Sequence, residues 1–384
     1  MNKKIGLLTL PLWNNYGGIL QCYALKTSVE KLGYEVFVID MQKSPQSKLD
    51  ILSTHLKNLI KRQMKNRDKL NLSQTDSFRK AVSVNTRHFV ENELKPLIGP
   101  VYCDGDIHGI NSKLDGVIVG SDQVWRPDYA PSWSHYFLNF LGNNKLRVAY
   151  AASFGKDYCS LTSEQSNITV NALSRFNGIS VREDSGVKIV KEQFGFDCQQ
   201  VLDPTLLLDK TYYIDLAKKY NTKESEGNLF TYILDHNELS NLVIKSVTQY
   251  FGLEAFEVNC EIPKVNFDKN KMHEHIYPDI SQWIQAFIDA DFVIADSFHG
   301  CVFAIIFNKP FIAIGNVQRG LTRFDSLLKT FGLESRLVLS FDDVTEDVLD
   351  YEFDWESINK KRDVLIQNSI EFLNNALSSE IINE

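Results

Sequence analysis

Short apolar runs that end in polar turns recur along the chain, a pattern typical of the strands of a parallel sheet. One run, Phe292–Ala295, is followed by the polar turn DSFHG at residues 296–300. A helix-length apolar run then occupies residues 301–307, and after NKP a further apolar run begins at residues 311–314. This order predicts a strand–helix–strand unit, and in such sheets ligands bind beyond the carboxyl ends of the strands. We therefore expect functional side chains on the turn at residues 296–300.

The same pattern opens the chain. Residues 5–10 predict a buried strand, residues 14–18 (NNYGG) a turn, residues 19–31 a helix and residues 35–39 a second strand. Further apolar runs at 115–119 and 147–152 end in the turns GSDQVW and SFG. Because both halves of the chain repeat this arrangement, we predict an α/β fold with two Rossmann-like domains that face each other across a cleft.

The boundaries follow from the same pattern. We place an N-terminal Rossmann-like domain at residues 1–172 and a C-terminal one at residues 173–350. A polar helix at residues 351–384 is expected to pack back on the N-terminal domain. Residues 48–97 are polar and basic with apolar positions at helical spacing, which predicts a helical insert. Such a helix is able to contact an anionic membrane peripherally, but a solvated face over a small core is the commoner case.

Composition narrows the class of protein. The 384 residues favour two domains, and the formal net charge of −8 argues against a nucleic-acid-binding surface. No apolar run reaches the length of a membrane span, and no signal-peptide pattern opens the chain. The six cysteines are scattered without metal-ligand spacing, as in reduced cytoplasmic proteins. The sequence therefore predicts a cytoplasmic protein with no metal site.

Two turns carry candidate chemistry. His299 follows an Asp and Ser297 on a predicted βα turn, where an imidazole serves either catalysis or packing. The backbone N–H groups of Tyr16, Gly17 and Gly18 lie at a predicted helix start. They could hold an anion or a sugar hydroxyl, or the glycines could simply allow a tight turn.

Seven stretches run in order through nearly the whole chain: WNNYGGILQ (13–21), VGSDQVW (119–125), AYAASFG (149–155), SVREDS (180–185), VLDPT (201–205), DSFHG (296–300) and RFDSLL (323–328). On these stretches the chain resembles the polysaccharide pyruvyl transferase family. The resemblance implies a GT-B-like pair of domains, with the N-terminal domain (1–172) on the acceptor side and the C-terminal domain (173–350) on the donor side. It also implies transfer of the pyruvyl group of phosphoenolpyruvate to a sugar of a cell-surface or capsular polysaccharide, or its precursor, as a cyclic ketal.

The resemblance also implies roles for individual residues. His299 matches the general acid/base, Asp122 a hydrogen-bond acceptor or base for the acceptor hydroxyl, and Arg182 a donor-binding arginine. Phosphoenolpyruvate is then a co-substrate, and no cofactor is implied. Acceptor contacts are expected from Asn15, Tyr16, Gly17, Gly18, Gln123 and Trp125.

One position departs from the family pattern. Many relatives carry arginine two residues before the histidine, where this chain has Ser297. We expect Ser297 to contact the donor, and Arg323, or else Arg319, to supply the missing cation on the donor side. A GT-B glycosyltransferase that uses a nucleotide-sugar is the alternative function, and a non-catalytic glycan-binding protein is a third. The acceptor is open between a sugar, a nucleotide-sugar and a lipid-linked glycan.

Overall fold

The computed structural model describes residues 2–43, 76–95, 97–103, 107–260, 269–316 and 320–381. These residues form two parallel sheets flanked by helices. The first sheet has the strand order β3-β2-β1-β4-β5-β6-β7. Its strands are β1 (Lys4–Leu8), β2 (Glu35–Gln42), β3 (Leu97–Tyr102), β4 (Gly116–Val119), β5 (Leu146–Ala152), β6 (Gly178–Val181) and β7 (Gln199–Gln200).

The second sheet has the order β12-β11-β10-β8-β9. Its strands are β8 (Leu229–Tyr232), β9 (Ala255–Phe256), β10 (Phe292–Ala295), β11 (Phe311–Ile314) and β12 (Leu337–Val338). Central strands such as β5, β10 and β11 are buried at every residue, which explains their nearly continuous apolar sequences. Together the two sheets form a pair of facing Rossmann-like domains.

Helices connect and cover the strands. In the first half of the chain they are α1 (Tyr16–Lys31), α2 (Asp76–Val82), α3 (Val84–Glu93), α4 (Ser163–Leu173) and α5 (Asp184–Ile189). The rest are α6 (Lys210–Lys219), α7 (Glu238–Phe251), α8 (Ile280–Asp289), α9 (Phe298–Ile306), α10 (Thr322–Phe331), α11 (Glu346–Leu349) and α12 (Trp355–Ser378). Among the described residues, no helix is both long enough and apolar enough to cross a membrane.

The predicted boundary between residues 172 and 173 is wrong. Strand β6 pairs with β5 and β7 pairs with β6, so the first sheet continues to Gln200. The second sheet begins only at Leu229, in β8. Each βαβ unit has the same local pattern, and only strand pairing decides which sheet a unit joins. As a consequence, Arg182 follows a strand of the first sheet, although the prediction assigns it to the second domain.

The C-terminal helix α12 lies against the first sheet. The backbone N–H of Leu202 donates to Ser369 Oγ on this helix at 3.1 Å. A Cβ at Gly178 of β6 would lie 2.7 Å from Cβ of Ala376, so the glycine allows the helix to approach closely. The helix thus returns the end of the chain to the N-terminal domain after the second sheet is complete.

The predicted insert is described only in its second part. Residues 48–75, which hold most of its basic positions, lie outside the described residues. Helices α2 and α3 belong to the described part, and they contact the second domain as well as the first. Val82 O accepts from the backbone N–H of Tyr277 at 2.9 Å, and Asn85 Nδ2 donates to Tyr277 O at 2.9 Å. This part of the insert therefore bridges the two domains.

Candidate active site

Two helices from different domains begin at the same place. Asn15 is the N-cap of α1, and its Oδ1 accepts from Gly18 N at 3.0 Å. Ser297 is the N-cap of α9, and its Oγ accepts from Gly300 N at 3.0 Å. Asn and Ser at these positions satisfy backbone donors that would otherwise be unpaired. Both helix N-termini, with their partial positive charge, face one cleft between the domains.

The first turns of these helices touch. A Cβ built on Gly17 would lie 2.1 Å from Cγ and 2.2 Å from Nδ1 of His299. The imidazole therefore rests directly on the Gly17 backbone, and only glycine leaves it room. The two residues are far apart in the chain, so this contact exists only because the domains face each other.

The cleft between the domains has a volume of about 900 Å³. It collects many of the side chains that the sequence singled out, although they come from four separate turns. Its walls include Asn15, Gly17, Asp122, Gln123, Ser297, His299 and Arg323. A cleft of this size is within the range of small-molecule binding sites.

Arg182 lies at the centre of a buried charge cluster. Its Nε donates to Glu183 Oε1 at 3.2 Å and its Nη1 to Asp203 Oδ2 at 2.9 Å, while Nη2 lies 3.6 Å from Asp122 Oδ1. The guanidinium carbon also lies 4.2 Å from the centroid of the Phe298 ring. Burial alone would lower the pKa of Arg182, but the three carboxylates outweigh burial and raise it. The charge of Arg182 is therefore already balanced within the protein, and only Nη2 has no hydrogen-bond partner among the described residues.

His299 faces a carboxylate that the sequence analysis did not assign to the site. Its Nε2 lies 3.5 Å from Asp203 Oδ2. The other carboxylate oxygen of Asp203 accepts from Thr205 N at 3.0 Å and from Thr205 Oγ1 at 2.7 Å. Burial would raise the pKa of Asp203, but His299 and Arg182 outweigh burial and hold it well below its usual range. The sequence did carry a signal, because Asp203 follows a short strand in the motif VLDPT.

Arg323 at the start of α10 is the cation that the cleft leaves unbalanced. Within the described part of the chain, its buried Nε has no hydrogen-bond partner, and no carboxylate lies within ion-pair distance of it. Burial and the neighbouring Arg182 lower the pKa of Arg323 against the opposing effect of Asp122 and Glu183. Arg319, the other predicted source of the missing cation, lies outside the described residues. A buried N–H of a cation without a partner is costly, so this position favours an anionic ligand that accepts a hydrogen bond from Nε.

Asp122 and Gln123 occupy the turn after β4. Asp122 has φ of 69°, and in this left-handed conformation its carboxylate lies 3.4 Å from Asn15 Nδ2 as well as near Arg182. Asp tolerates this conformation better than most residues. Gln123 Oε1 accepts from Arg126 Nη1 at 2.8 Å. The turn thus presents a carboxylate and an amide to the cleft.

The side chains of two predicted acceptor residues, Tyr16 and Trp125, lie in the core and not at the cleft. Tyr16 is 1% exposed, its ring stacks on Trp283, and its hydroxyl donates to Pro278 O at 2.9 Å. Trp125 is 2% exposed, stacks on Phe137, and donates from Nε1 to a backbone carbonyl at 3.0 Å. Both side chains lie in the core because a large aromatic ring stabilises the fold more when it is packed among other side chains than when it borders a solvent-filled cleft.

The two remaining predictions on these turns have mixed outcomes. The N–H of Gly18 already donates to the N-cap, so it is not free to bind a ligand. Ser297 lines the cleft, but its hydroxyl already accepts a hydrogen bond from Gly300 N as the N-cap of α9.

Among the described residues, no group of three or more His, Cys, Asp or Glu side chains is arranged to hold a metal ion.

Two facing parallel sheets with a cleft at the carboxyl ends of their strands define a GT-B-like fold. The chain belongs to the polysaccharide pyruvyl transferase family, whose family model matches residues 15–318. No curated protein matches the chain.

Solved structures resemble the fold at low identity. Arabidopsis thaliana UGT89C1 complexed with UDP-L-rhamnose is 9% identical over 97% of this chain and 98% of its own, with a TM-score of 0.51. S. aureus MnaA in a co-structure with UDP is 14% identical over 100% of both chains, with a TM-score of 0.47. The UDP-N-acetylglucosamine 2-epimerase from Rickettsia bellii is 12% identical over 98% of this chain and 97% of its own, also at 0.47. At such identities the likeness concerns the fold alone.

Proposed function

We propose that this protein transfers the pyruvyl group of phosphoenolpyruvate to two hydroxyls of a sugar, forming a cyclic ketal on a cell-surface or capsular polysaccharide or its precursor. Membership of the family supports the reaction class. The single observation that carries the donor assignment is Arg323 at the cleft, beside the Arg182 cluster: its buried Nε has no hydrogen-bond partner among the described residues. Phosphoenolpyruvate acts as co-substrate, and the reaction needs no further cofactor.

The donor carries a carboxylate and a phosphate, so its pocket needs cations and backbone donors. Arg323 supplies a charge that no carboxylate of the described residues neutralises. The N-termini of α1 and α9 add partial positive charge from both sides of the cleft. Arg182 adds a positive charge behind the cleft wall, and its buried Nη2 has no hydrogen-bond partner among the described residues. Charge-assisted hydrogen bonds from guanidinium to phosphate or carboxylate are among the strongest that proteins form.

Ketal formation requires a proton to reach the methylene carbon of the enol, which leaves oxocarbenium character at the central carbon. One sugar hydroxyl attacks that carbon and loses its proton, the bond to the phosphate oxygen breaks, and the second hydroxyl closes the ring with loss of its proton. His299 at the cleft is the general acid/base, because imidazole gives and accepts protons near neutral pH. Asp122 accepts a hydrogen bond from the attacking hydroxyl and orients it.

The acceptor occupies the part of the cleft that the donor leaves empty. Asn15, Gly17 and Gln123 border it on the side of the first domain and offer amide and backbone groups to sugar hydroxyls. The acceptor is a sugar, a nucleotide-sugar or a lipid-linked glycan, the last of which would bring the protein to a membrane surface peripherally. Such a reaction belongs in the cytoplasm, where phosphoenolpyruvate is available.

Thermal-shift measurements test the donor assignment, because a ligand that binds only the folded protein raises its melting temperature. We expect phosphoenolpyruvate to raise the melting temperature of the wild type and to have no effect on Arg323→Gln. Arg175→Gln is the matched control, since Arg175 also has a buried Nε without a partner but lies away from the cleft. The control should respond to phosphoenolpyruvate as the wild type does.

Two other outcomes would overturn the proposal. Stabilisation by a uridine or guanosine diphosphate-sugar, with none by phosphoenolpyruvate, would favour a nucleotide-sugar glycosyltransferase. Sugar binding that survives His299→Ala, without any acceptor-dependent phosphate release in the wild type, would favour a non-catalytic glycan-binding protein. Acceptor-dependent phosphate release that disappears in folded His299→Ala supports the transferase.

A further inference from the structure

The two ring nitrogens of His299 lie in different surroundings. Nε2 is buried and lies 3.5 Å from Asp203 Oδ2. Nδ1, on the other side of Cε1, lies over the backbone of Gly17. Within the described part of the chain, Nε2 has no hydrogen-bond partner beyond this contact with the carboxylate. The residue as a whole is 8% exposed and lines the cleft. The ring therefore presents one nitrogen to a carboxylate and the other to the first turn of α1.

The carboxylate of Asp203 is held firmly in place. It is 2% exposed, and its hydrogen-bond partners Thr205 and Arg182 are both donors. Thr205 donates twice to Oδ1, and Arg182 Nη1 donates to Oδ2. The pKa of Asp203 lies well below its usual range because His299 and Arg182 outweigh the effect of burial. An ionised carboxylate in this position only accepts hydrogen bonds.

An ionised carboxylate decides which tautomer of a neutral imidazole is stable beside it. If Nε2 carried a lone pair, that lone pair would face the Asp203 oxygen and repel it. If Nε2 carries the proton, the same geometry is attractive, and the other nitrogen keeps its lone pair. The second nitrogen of a histidine is commonly fixed in this way by a hydrogen bond to a carboxylate.

We infer that Asp203 is a positioning residue that holds His299 as the Nε2–H tautomer, so that Nδ1 is the nitrogen that gives and accepts the catalytic proton. The choice of tautomer follows from the geometry of the two side chains. The catalytic part rests on the proposed function. Asp203 therefore acts through His299 and contacts neither donor nor acceptor.

Asp203→Asn separates this role from a purely structural one. The two donors of Thr205 favour the amide oxygen at the Oδ1 position, which turns the amide nitrogen toward His299 and Arg182. An N–H facing Nε2 stabilises the lone pair there, so the variant should shift the proton to Nδ1. Thr205→Val is the control, because it removes one hydrogen bond to Asp203 but leaves its charge opposite Nε2.

The tautomer is measured by nitrogen-15 NMR on full-length protein labelled at histidine. The chain has eight histidines, so the signals of His299 are assigned by their absence in His299→Gln. At alkaline pH we expect the wild type and Thr205→Val to carry the proton on Nε2. We expect Asp203→Asn to shift it toward Nδ1. A wild-type protein with the proton on Nδ1 overturns the inference even if the variant does not fold, and so does an unchanged tautomer in folded Asp203→Asn.

Kinetics provide a separate readout. General acid/base catalysis contributes about 10²–10⁴-fold to a rate. We therefore expect the kcat of Asp203→Asn to be lower than that of the wild type by a factor in this range. If the NMR result holds but phosphoenolpyruvate neither binds nor reacts, the positioning role of Asp203 stands and the proposed function fails. If phosphoenolpyruvate reacts but the wild-type proton lies on Nδ1, the proposed function stands and this inference fails.

Discussion

We expect the Gly17→Ala variant to lose most of its activity while it keeps most of its stability. The methyl group would lie 2.1 Å from His299 Cγ, whereas ordinary contacts begin at 3.4 Å, so the ring must retreat by at least 1.3 Å. A misplacement of about 1 Å in a catalytic group can reduce the rate by about 10²-fold. We therefore expect acceptor-dependent phosphate release from phosphoenolpyruvate to fall by about 100-fold or more.

Stability should change much less. Overpacking costs about 1–3 kcal/mol. Alanine within a helix recovers about 1 kcal/mol relative to glycine. The melting temperature of Gly17→Ala should therefore stay within a few degrees of the wild type, although the activity is largely lost. Gly109→Ala is the matched control, because a Cβ there would meet nothing within 4 Å and its φ is not positive.

A double variant completes the test. If Gly17→Ala acts by displacing the imidazole, adding it to His299→Gln should reduce the remaining activity no further. A folded Gly17→Ala protein with activity within threefold of the wild type would refute the reasoning. An additional large loss in the double variant would show that Gly17 contacts substrate independently of His299.

Three further predictions concern Tyr16, Ser297 and Asp203. Tyr16→Phe removes the hydrogen bond to Pro278 O and should cost about 1 kcal/mol, seen as a lower melting temperature, while the shift caused by phosphoenolpyruvate stays unchanged. Ser297→Asp keeps a good N-cap for α9 but adds negative charge at the cleft, so it should keep its stability and bind phosphoenolpyruvate more weakly. Because the pKa of Asp203 is lower in the folded than in the unfolded chain, its stabilising effect is present above about pH 4 and lost as the pH falls through the folded value. The difference in melting temperature between wild type and Asp203→Asn should therefore shrink on acidification below pH 4, and a constant difference would contradict the assignment.

Much of the fold could be predicted because the determining signals are local. The apolar run Phe292–Ala295 and the turn after it form β10 and the start of α9, as the pattern indicates. The first strand, turn and helix also fall where the pattern places them, and Asn15 caps α1. Strand and helix periodicity reflects which faces are buried, so a single stretch of sequence carries it.

Predictions of which side chains face the cleft were less accurate than predictions of strands and helices. Tyr16 and Trp125 lie inside motifs that flank the cleft, yet both point into the core. A motif fixes the backbone of a turn, but each side chain faces either the cleft or the core, and the choice depends on neighbours distant in sequence. The side chain of Tyr16 points into the core because it stacks on Trp283, which belongs to the other domain. Asp203 was missed for the same reason, because its partner His299 is distant in the chain.

The sequence by itself determined the α/β class, the order of strands and helices, and the turns that hold Asp122, His299 and Arg323. Only the tertiary structure decided that β6 joins the first sheet, that His299 rests on Gly17, and that Asp203 faces the imidazole. The physical reason is the distance along the chain over which each interaction acts. Periodicity and capping act over a few residues, whereas the docking of two sheets brings together groups that no local pattern relates.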